Sequence, residues 1–287
     1  MGRVCYHRRV NVHNGRERLS TLGTILRDNW KWQGQIFHLA LFDLKKQSRG
    51  AALGWAWFFI KPIVYIFCFW FAIEIGLRAG RTAPGDAPYI LWLCAGIIPW
   101  FFMRDMLSGG VDVLSRYSYL VTKVRFPISA ISSIYAVATM ILQLMMYAIM
   151  AVVYFWCGQP IDLYLLQIPV LWIVMYGFWY FFSVLMSPLC AMSKDMKNVM
   201  GTLSTPFFWL SGVIFNVRDI PIDAVQYILY FNPITFFVTA FRDAIYDKAW
   251  VWDDPVSCIC FAAVFVVTAV LSLVVYKRTH KEVADVL

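Results

Sequence analysis

Two adjacent carboxylates are the first arrangement in this sequence that could carry out chemistry. Asp253 and Asp254 form the one such pair in the chain, and paired carboxylates can hold a metal ion or do acid–base work in sugar transfer. The pair also lies at the start of an apolar run, and helix N-termini favour acidic residues. The position favours a capping role and leaves a membrane-integral glycosyltransferase as an alternative.

Motifs for nucleotide hydrolysis and metal binding are absent from the sequence. No G-x-x-x-x-G-K-[ST] run occurs, so the chain has no phosphate-cradling loop and is not an ATPase by itself. H-E-x-x-H is also absent, and the four histidines are too scattered along the chain to form a metal site. We therefore predict that the chain binds neither a metal nor a cofactor.

The composition indicates that lipid is the main solvent of this chain. The 287 residues are 61% hydrophobic and only 15% charged, whereas soluble chains carry roughly a quarter charged residues. A hydrocarbon core about 30 Å thick requires around 20 apolar helical residues. The sequence predicts an all-α membrane protein with a domain over 51–276. Its six predicted spans are 52–77, 88–113, 128–156, 163–188, 198–217 and 255–276.

The distribution of basic residues predicts how these spans are oriented. Most Lys and Arg lie in residues 1–50, 114–127, 189–198 and 277–287, which alternate with the remaining gaps. Because cytoplasmic loops carry the excess of Lys and Arg, we expect both termini in the cytoplasm. The net charge of +8 then indicates contact with anionic membrane lipids rather than with nucleic acid.

The segments outside the spans differ in pattern. Residues 1–21 are predicted to be a basic mobile tail, and 277–287 a cytoplasmic tail. Residues 22–50 have apolar positions at helical spacing, which predicts one or two amphipathic helices on the cytoplasmic surface of the bilayer; the alternative is an ordinary helix packed on the protein's own spans. Residues 114–127 are predicted to form either a short helix that docks into a cleft of a soluble partner or a simple connector.

The segment 218–248 predicts a re-entrant hairpin on the outer side of the membrane. Its uncharged stretch is interrupted by Asn232 and Pro233, and proline disfavours helical geometry in the residue before it. We therefore expect two half-helices, about 222–231 and 234–246. Because exposed non-helical backbone is not tolerated in lipid, the break must face protein or a water-filled cavity.

Two ionisable residues, Lys61 and Glu74, fall within the first predicted span. Such residues usually pair while facing protein, or belong to a transport path. Thirteen residues separate these two, so they cannot pair with each other. Either they extend to the membrane surfaces, or they mark a path, and the sequence leaves both possibilities open.

Five segments of this sequence resemble the permease subunits of type-2 ABC exporters. They are LALFDLKKQSRG at 39–50, LGWAW at 53–57 followed by Lys61-Pro62, AGIIPWFF at 95–102, LVTKVRFP at 120–127 and YFNPIT at 230–235. The resemblance covers about residues 36–280 in order and spacing. The members that it resembles most export O-antigen polysaccharide or teichoic acid across the bacterial plasma membrane. The family often has an asparagine where this chain has Lys61.

The resemblance implies a partner complex and a substrate. Two permeases form a homodimer with two ABC ATPase subunits, which hold ATP and Mg. It implies that 22–48 is an interface helix, 114–127 a coupling helix and 218–248 an outer gate beside an aromatic-lined channel for a lipid-linked glycan. The expected ATPase-coupling residues are Asp43, Lys45, Lys46, Leu120, Val121, Lys123, Arg125 and Phe126. The expected path and gate residues are Trp57, Trp100, Phe101, Phe102, Trp209, Tyr230, Phe231, Asn232 and Pro233.

The function that we predict is therefore the membrane subunit of an ATP-driven exporter of a lipid-linked polysaccharide in the bacterial plasma membrane. A type-2 exporter of a small drug or lipid is an alternative in the same class. A membrane-integral glycosyltransferase that uses Asp253 and Asp254 is an alternative from another class.

Overall fold

The computed structural model describes residues 16–77, 88–124 and 126–279. Most of the two predicted tails and the site residue Arg125 lie outside the described residues. Within them every regular element is a helix, which confirms the predicted all-α membrane fold. The helices are α1 (Arg16–Lys31), α2 (Gln33–Ser48), α3 (Trp57–Trp70), α4 (Tyr89–Ser108), α5 (Val113–Arg116), α6 (Ser118–Thr122), α7 (Ile128–Trp156), α8 (Gln167–Met192), α9 (Lys194–Leu210), α10 (Asp223–Tyr230), α11 (Pro233–Arg242) and α12 (Pro255–Thr279).

Short 3₁₀ turns and a π-helix extend several of these helices. A 3₁₀ turn precedes α3 and a π-helix, Phe71–Leu77, continues it, while the 3₁₀ turn Leu163–Leu166 leads into α8. With these extensions, five helical segments are long and apolar enough to cross a membrane. They are Gly54–Gly76, Tyr89–Ser108, Ile128–Trp156, Leu163–Met192 and Pro255–Thr279.

The predicted span 198–217 differs from the helix found there. Helix α9 begins earlier, at Lys194, where the Ser193 side chain accepts a hydrogen bond from the Met196 amide. It ends at Leu210, because the chain turns at Gly212, whose φ of 72° lies in the left-handed region. With 17 residues, α9 is about 26 Å long at 1.5 Å per residue. It is thus shorter than the other spans.

Helices α10 and α11 form a broken pair that is bent by 96°. At the break, the Asn232 side chain accepts from the Ile234 amide at 3.0 Å and donates to the Ser211 hydroxyl at 2.7 Å. The Ile234 amide at the break therefore has a partner within the protein, as a break inside lipid requires. Arg218, which precedes α10, lies 2.6 Å from Asp243 at the end of α11. Both ends of the pair consequently lie on one side of the bundle.

Helix α4 forms the centre of the bundle, and α3 lies at its edge. In the most apolar stretch of α4, 83% of the residues are buried, whereas only 6% are buried in that of α3. Helix α4 packs mainly on α7, α11 and α9, and α3 contacts α4 and α7. One face of α3 is thus left for lipid or for another protein surface.

The two N-terminal helices pack on the bundle through their apolar stripes. Ile25 on α1 and Ile36 and Leu44 on α2 are buried, and both helices contact α7. Trp32, between them, meets Phe126 edge to face with ring centroids 4.6 Å apart. The contacts on these faces agree with the alternative prediction, in which the two helices pack on the protein's own spans. Their role at a subunit interface stays a prediction.

Replacing Phe126 with Ala should destabilise the protein by roughly 3 kcal/mol, because a buried ring leaves a cavity when it is removed. The matched control is Val124→Ala, since Val124 is exposed and lies two residues away. Thermal unfolding of the purified variants in detergent measures the difference. Equal unfolding temperatures for the two variants would contradict the packing of Phe126 on Trp32.

Candidate functional site

The helix bundle has two chemically different ends. We call the end that carries α1, α2 and residues 113–124 the basic face, and the end that carries residues 211–254 the hairpin face. The predicted coupling residues lie at the basic face. Lys45, Lys46 and Lys123 are exposed there, whereas Leu120, Val121, Phe126 and Asp43 are buried.

Asp43 is buried and links α2 to α5. Its carboxylate accepts from Gln47 Nε2 at 3.0 Å and lies 3.8 Å from Arg116 Nη1. The Arg116 guanidinium lies 5.1 Å from the centroid of the Tyr135 ring on α7. Burial, followed by the negative charge of Asp43, raises the pKa of Tyr117 above its ordinary value. Asp43 and Arg116 thus connect α2 to α5 and α7.

A cleft of about 280 Å³ lies at the basic face between α3, α4 and α7. We call it the basic-face cleft. The predicted path residues Trp57, Phe101 and Phe102 line it, together with Lys61 and Arg104. Each cation lies near a ring: Lys61 Nζ is 5.9 Å from the centroid of Trp57, and Arg104 Cζ is 5.3 Å from that of Phe101. The cleft thus combines aromatic surface with positive charge.

Aromatic rings continue from this cleft towards the middle of the bundle. The ring of Tyr65 on α3 lies 5.6 Å from Phe101, and the ring of Phe208 on α9 lies 5.5 Å from Trp100. Trp100 is only 1% exposed, so it packs inside the chain and does not line an open path. Trp209 is 53% exposed and faces outwards beside these rings.

The break of the hairpin lines a second, larger and mostly apolar groove of about 430 Å³. The groove is lined by Phe231, Asn232 and Pro233 of the break and by Val264 and Thr268 of α12, among others. Tyr230 is buried, and its hydroxyl accepts from Gln226 Nε2 at 3.1 Å. The structure thus brings three predicted gate residues to one groove and places Tyr230 in the packing behind it.

Arg242 is a buried residue that the sequence analysis did not single out. Its guanidinium donates to the backbone carbonyls of Gly212 at 2.6 Å, Phe215 at 3.3 Å and Trp92 at 3.4 Å, and also to that of Val213. It lies 3.4 Å from the centroid of the Trp92 ring. This cation holds the turn after α9 against α4 and α11. The sequence contains one signal for this residue: Arg242 is a single arginine at the end of the apolar run of the hairpin.

The paired carboxylates are engaged in structural contacts. Asp253 accepts from the Trp250 amide at 3.0 Å, and Asp254 accepts from the Ser257 amide at 3.2 Å at the start of α12. Asp254 also lies 3.6 Å from Arg218, whose hydrogen bonds to Asp243 raise the pKa of the guanidinium. These contacts agree with the capping role. Within the described ranges, no three His, Cys, Asp or Glu residues could together hold a metal ion.

Lys248 makes a further tie at the hairpin face. Its amino group lies 2.7 Å from Asp162 and donates to the Tyr154 hydroxyl at 2.5 Å. Because Tyr154 lies in the last turn of α7 and Asp162 in the connection from α7 to α8, the end of the hairpin is attached to both, as well as to α4. The hairpin face is therefore cross-linked by side chains from several elements.

Membrane-length helices, two N-terminal helices at one face and a bent hairpin at the other define a multi-pass membrane protein. The chain belongs to the ABC-2 type transporter family, whose model matches residues 34–246. This membership favours transport over the glycosyltransferase alternative.

Two characterised relatives extend the similarity beyond the family model. The chain is 20% identical over 265 residues to the O-antigen export system permease protein RfbA of Myxococcus xanthus, which covers 91% of this chain and 98% of that protein. It is 23% identical over 254 residues to the polysialic acid transport protein KpsM of Escherichia coli, over 85% of this chain and 92% of that protein.

Replacing Gly96 with Ala should destabilise the hairpin face by about 2 kcal/mol. A Cβ at Gly96 would lie 2.8 Å from Arg242 Cζ, so the guanidinium would have to leave its carbonyl partners. Gly177→Ala is the matched control, because its new Cβ would meet only Phe265, at 3.8 Å. Thermal unfolding and limited proteolysis of the hairpin provide the measurement. A Gly96→Ala protein as stable as the control would refute the tight fit.

Proposed function

We propose that this chain is the membrane subunit of an ATP-driven exporter of a lipid-linked polysaccharide. The similarity to two proteins named for O-antigen export and polysialic acid transport, over at least 85% of this chain, carries the proposal. Exposed aromatic side chains support it, because the apolar faces of sugar rings stack on aromatic planes. Trp57, Trp209 and Phe231 are exposed in this chain. A glycan could slide past such rings without one tight site.

Energy comes from two copies of an ABC ATPase, which bind ATP and Mg. Lys45, Lys46 and Lys123 are the exposed residues of the predicted coupling set and form its contact surface. Asp43 acts through the chain: when the ATPase moves α2, the contact to Arg116 passes the movement to α5 and α7. Leu120, Val121 and Phe126 support this unit through packing. Arg125 is also proposed to take part in coupling to the ATPase.

Two copies of the chain enclose the path. Helix α3 supports this arrangement because its apolar surface has few partners within one chain. Ile63 and Phe67 are exposed on it, and so is Phe71 at the start of the π-helix that continues it. The basic face lies in the cytoplasm, both termini are cytoplasmic and the hairpin gates the outer side. This orientation, in a bacterial plasma membrane, follows the distribution of Lys and Arg.

A small lipid or drug is the second candidate substrate, and one observation favours it. The groove beside the hairpin break is mostly apolar and, at about 430 Å³, falls within the size range of small-ligand sites. A strain that lacks this chain separates the two candidates. Loss of surface glycan supports polysaccharide export, whereas drug sensitivity with normal surface glycan supports the second candidate and contradicts the first.

Asp43→Asn should reduce surface glycan about tenfold in the complemented strain while the ATPase still co-purifies, because loss of the carboxylate charge weakens the link to Arg116. Asp195→Asn is the control: Asp195 is an exposed carboxylate near the start of α9 and should export normally. Surface glycan is measured by gel and lectin binding. Normal export by Asp43→Asn would rule out transmission through this contact, and loss of the ATPase would show that Asp43 acts in assembly instead.

A further inference from the structure

We propose that Asp112 and Lys197 couple the segment 113–124, which meets the ATPase, to α9, and that α9 carries this coupling to the outer hairpin. Both are positioning residues: they act on transport through α9 and contact neither the glycan nor the ATPase. The inference rests on the proposed function and adds to it a connection between the basic face and the hairpin face.

The contact joins the start of α5 to the first turn of α9. Lys197 Nζ lies 2.7 Å from Asp112 Oδ2. Asp112 occupies the N-cap position of α5, but its side chain makes no capping hydrogen bond there. Its other carboxylate oxygen, Oδ1, is buried and has no hydrogen-bond partner among the described residues. The Asp112 carboxylate therefore serves the contact with α9 rather than the start of its own helix.

Helix α9 has little buried surface along its length. Of its 17 residues, Phe208, near the hairpin-face end, is the one that is buried, although the helix packs on α4 and α8. At its basic-face end, Lys197 makes the one ion pair that α9 forms with a described residue. Elements with few buried apolar contacts are the ones that move most readily in proteins. Helix α9 thus fits the part of a moving element.

The other end of α9 reaches the hairpin through hydrogen bonds. The hydroxyl of Ser211, the residue that follows α9, accepts from Asn232 Nδ2 at 2.7 Å, at the break between α10 and α11. Arg242 of α11 donates to the carbonyl of Gly212 at 2.6 Å. A single helix, about 26 Å long at 1.5 Å per residue, therefore contacts the start of α5 at one end and the hairpin at the other.

The exposure of the ion pair separates a coupling role from a structural one. The side chains of Lys197 and Asp112 are 49% and 23% exposed, and ion pairs that are open to solvent contribute little to stability. Removing one charge should therefore leave the unfolding temperature nearly unchanged. A large loss of export in such a variant would then result from the lost contact and not from unfolding.

Neutral variants test the pair in the complemented deletion strain. Lys197→Gln and Asp112→Asn should each lower surface glycan about fivefold, while the purified complex keeps its ATPase and its unfolding temperature. Asp112→Lys combined with Lys197→Asp should restore export, as should the conservative Lys197→Arg. Lys194→Gln is the matched control, because Lys194 is an exposed cation three residues earlier on α9.

Normal export by both neutral variants would overturn the proposal. A loss of export that Lys197→Arg does not share, with an unchanged unfolding temperature, supports it, and Lys197→Arg provides this comparison even if the exchanged pair does not fold. A loss of export that comes with a clearly lower unfolding temperature would show that the pair is structural and would also overturn the proposal.

Movement of the hairpin can be measured on the complex with its ATPase in nanodiscs. Tyr227 is 53% exposed on α10 and can be replaced by Cys in a chain without its native cysteines. ATP with vanadate should change the rate of maleimide labelling at position 227. Lys197→Gln should abolish this change, and Lys194→Gln should keep it. The same change in Lys197→Gln, or no change in the protein with both lysines, would contradict transmission through α9.

The export assay keeps this inference apart from the proposed function. A deletion strain with normal surface glycan refutes the proposed function, while the labelling test still applies because it does not depend on the cargo. A deletion strain that loses surface glycan, together with normal export by Lys197→Gln and Asp112→Asn, refutes only the coupling contact.

Discussion

The fold depends on covering backbone groups at a break in the middle of the bundle. Each unpaired carbonyl or amide costs several kcal/mol in hydrocarbon, and the turn after α9 leaves a series of carbonyls without helical partners. Arg242 donates to three of them, in Gly212, Val213 and Phe215. At the tip of the hairpin, the Asn232 side chain likewise accepts from the Ile234 amide and donates to the Ser211 hydroxyl. These polar contacts allow α9 to end early and the chain to turn back.

The hairpin face and the basic face are held together by different contacts. At the hairpin face, Arg218, Arg242 and Lys248 connect the hairpin to α12, to α4 and to the loop before α8. At the basic face, α2 rests on α7 through an apolar stripe, Asp43 of α2 lies 3.8 Å from Arg116 of α5, and Lys197 of α9 lies 2.7 Å from Asp112.

The sequence predicted the spans well where an uncharged run coincides with one helix. The third span, 128–156, agrees with α7 to the residue because a proline precedes it and Gly158 and Pro160 follow. The fifth predicted span failed at its end, because hydropathy continues past Leu210 while Gly212 reverses the chain. Asn232-Pro233 correctly indicated the broken hairpin. Burial of Asp43 and Arg242 depends on partners far away in sequence, which no local pattern reveals.

The central claim is that α10 and α11 enter and leave on the same side of the membrane. Asp223 and Asp247 stand near the two ends of this pair and are exposed, as is Lys194 at the basic face. Each can be replaced by Cys in a chain without its native cysteines and treated in intact cells with a membrane-impermeant maleimide. The account predicts labelling at 223 and 247 and none at 194. Labelling at only one hairpin position would show that the pair crosses the membrane and would contradict the account.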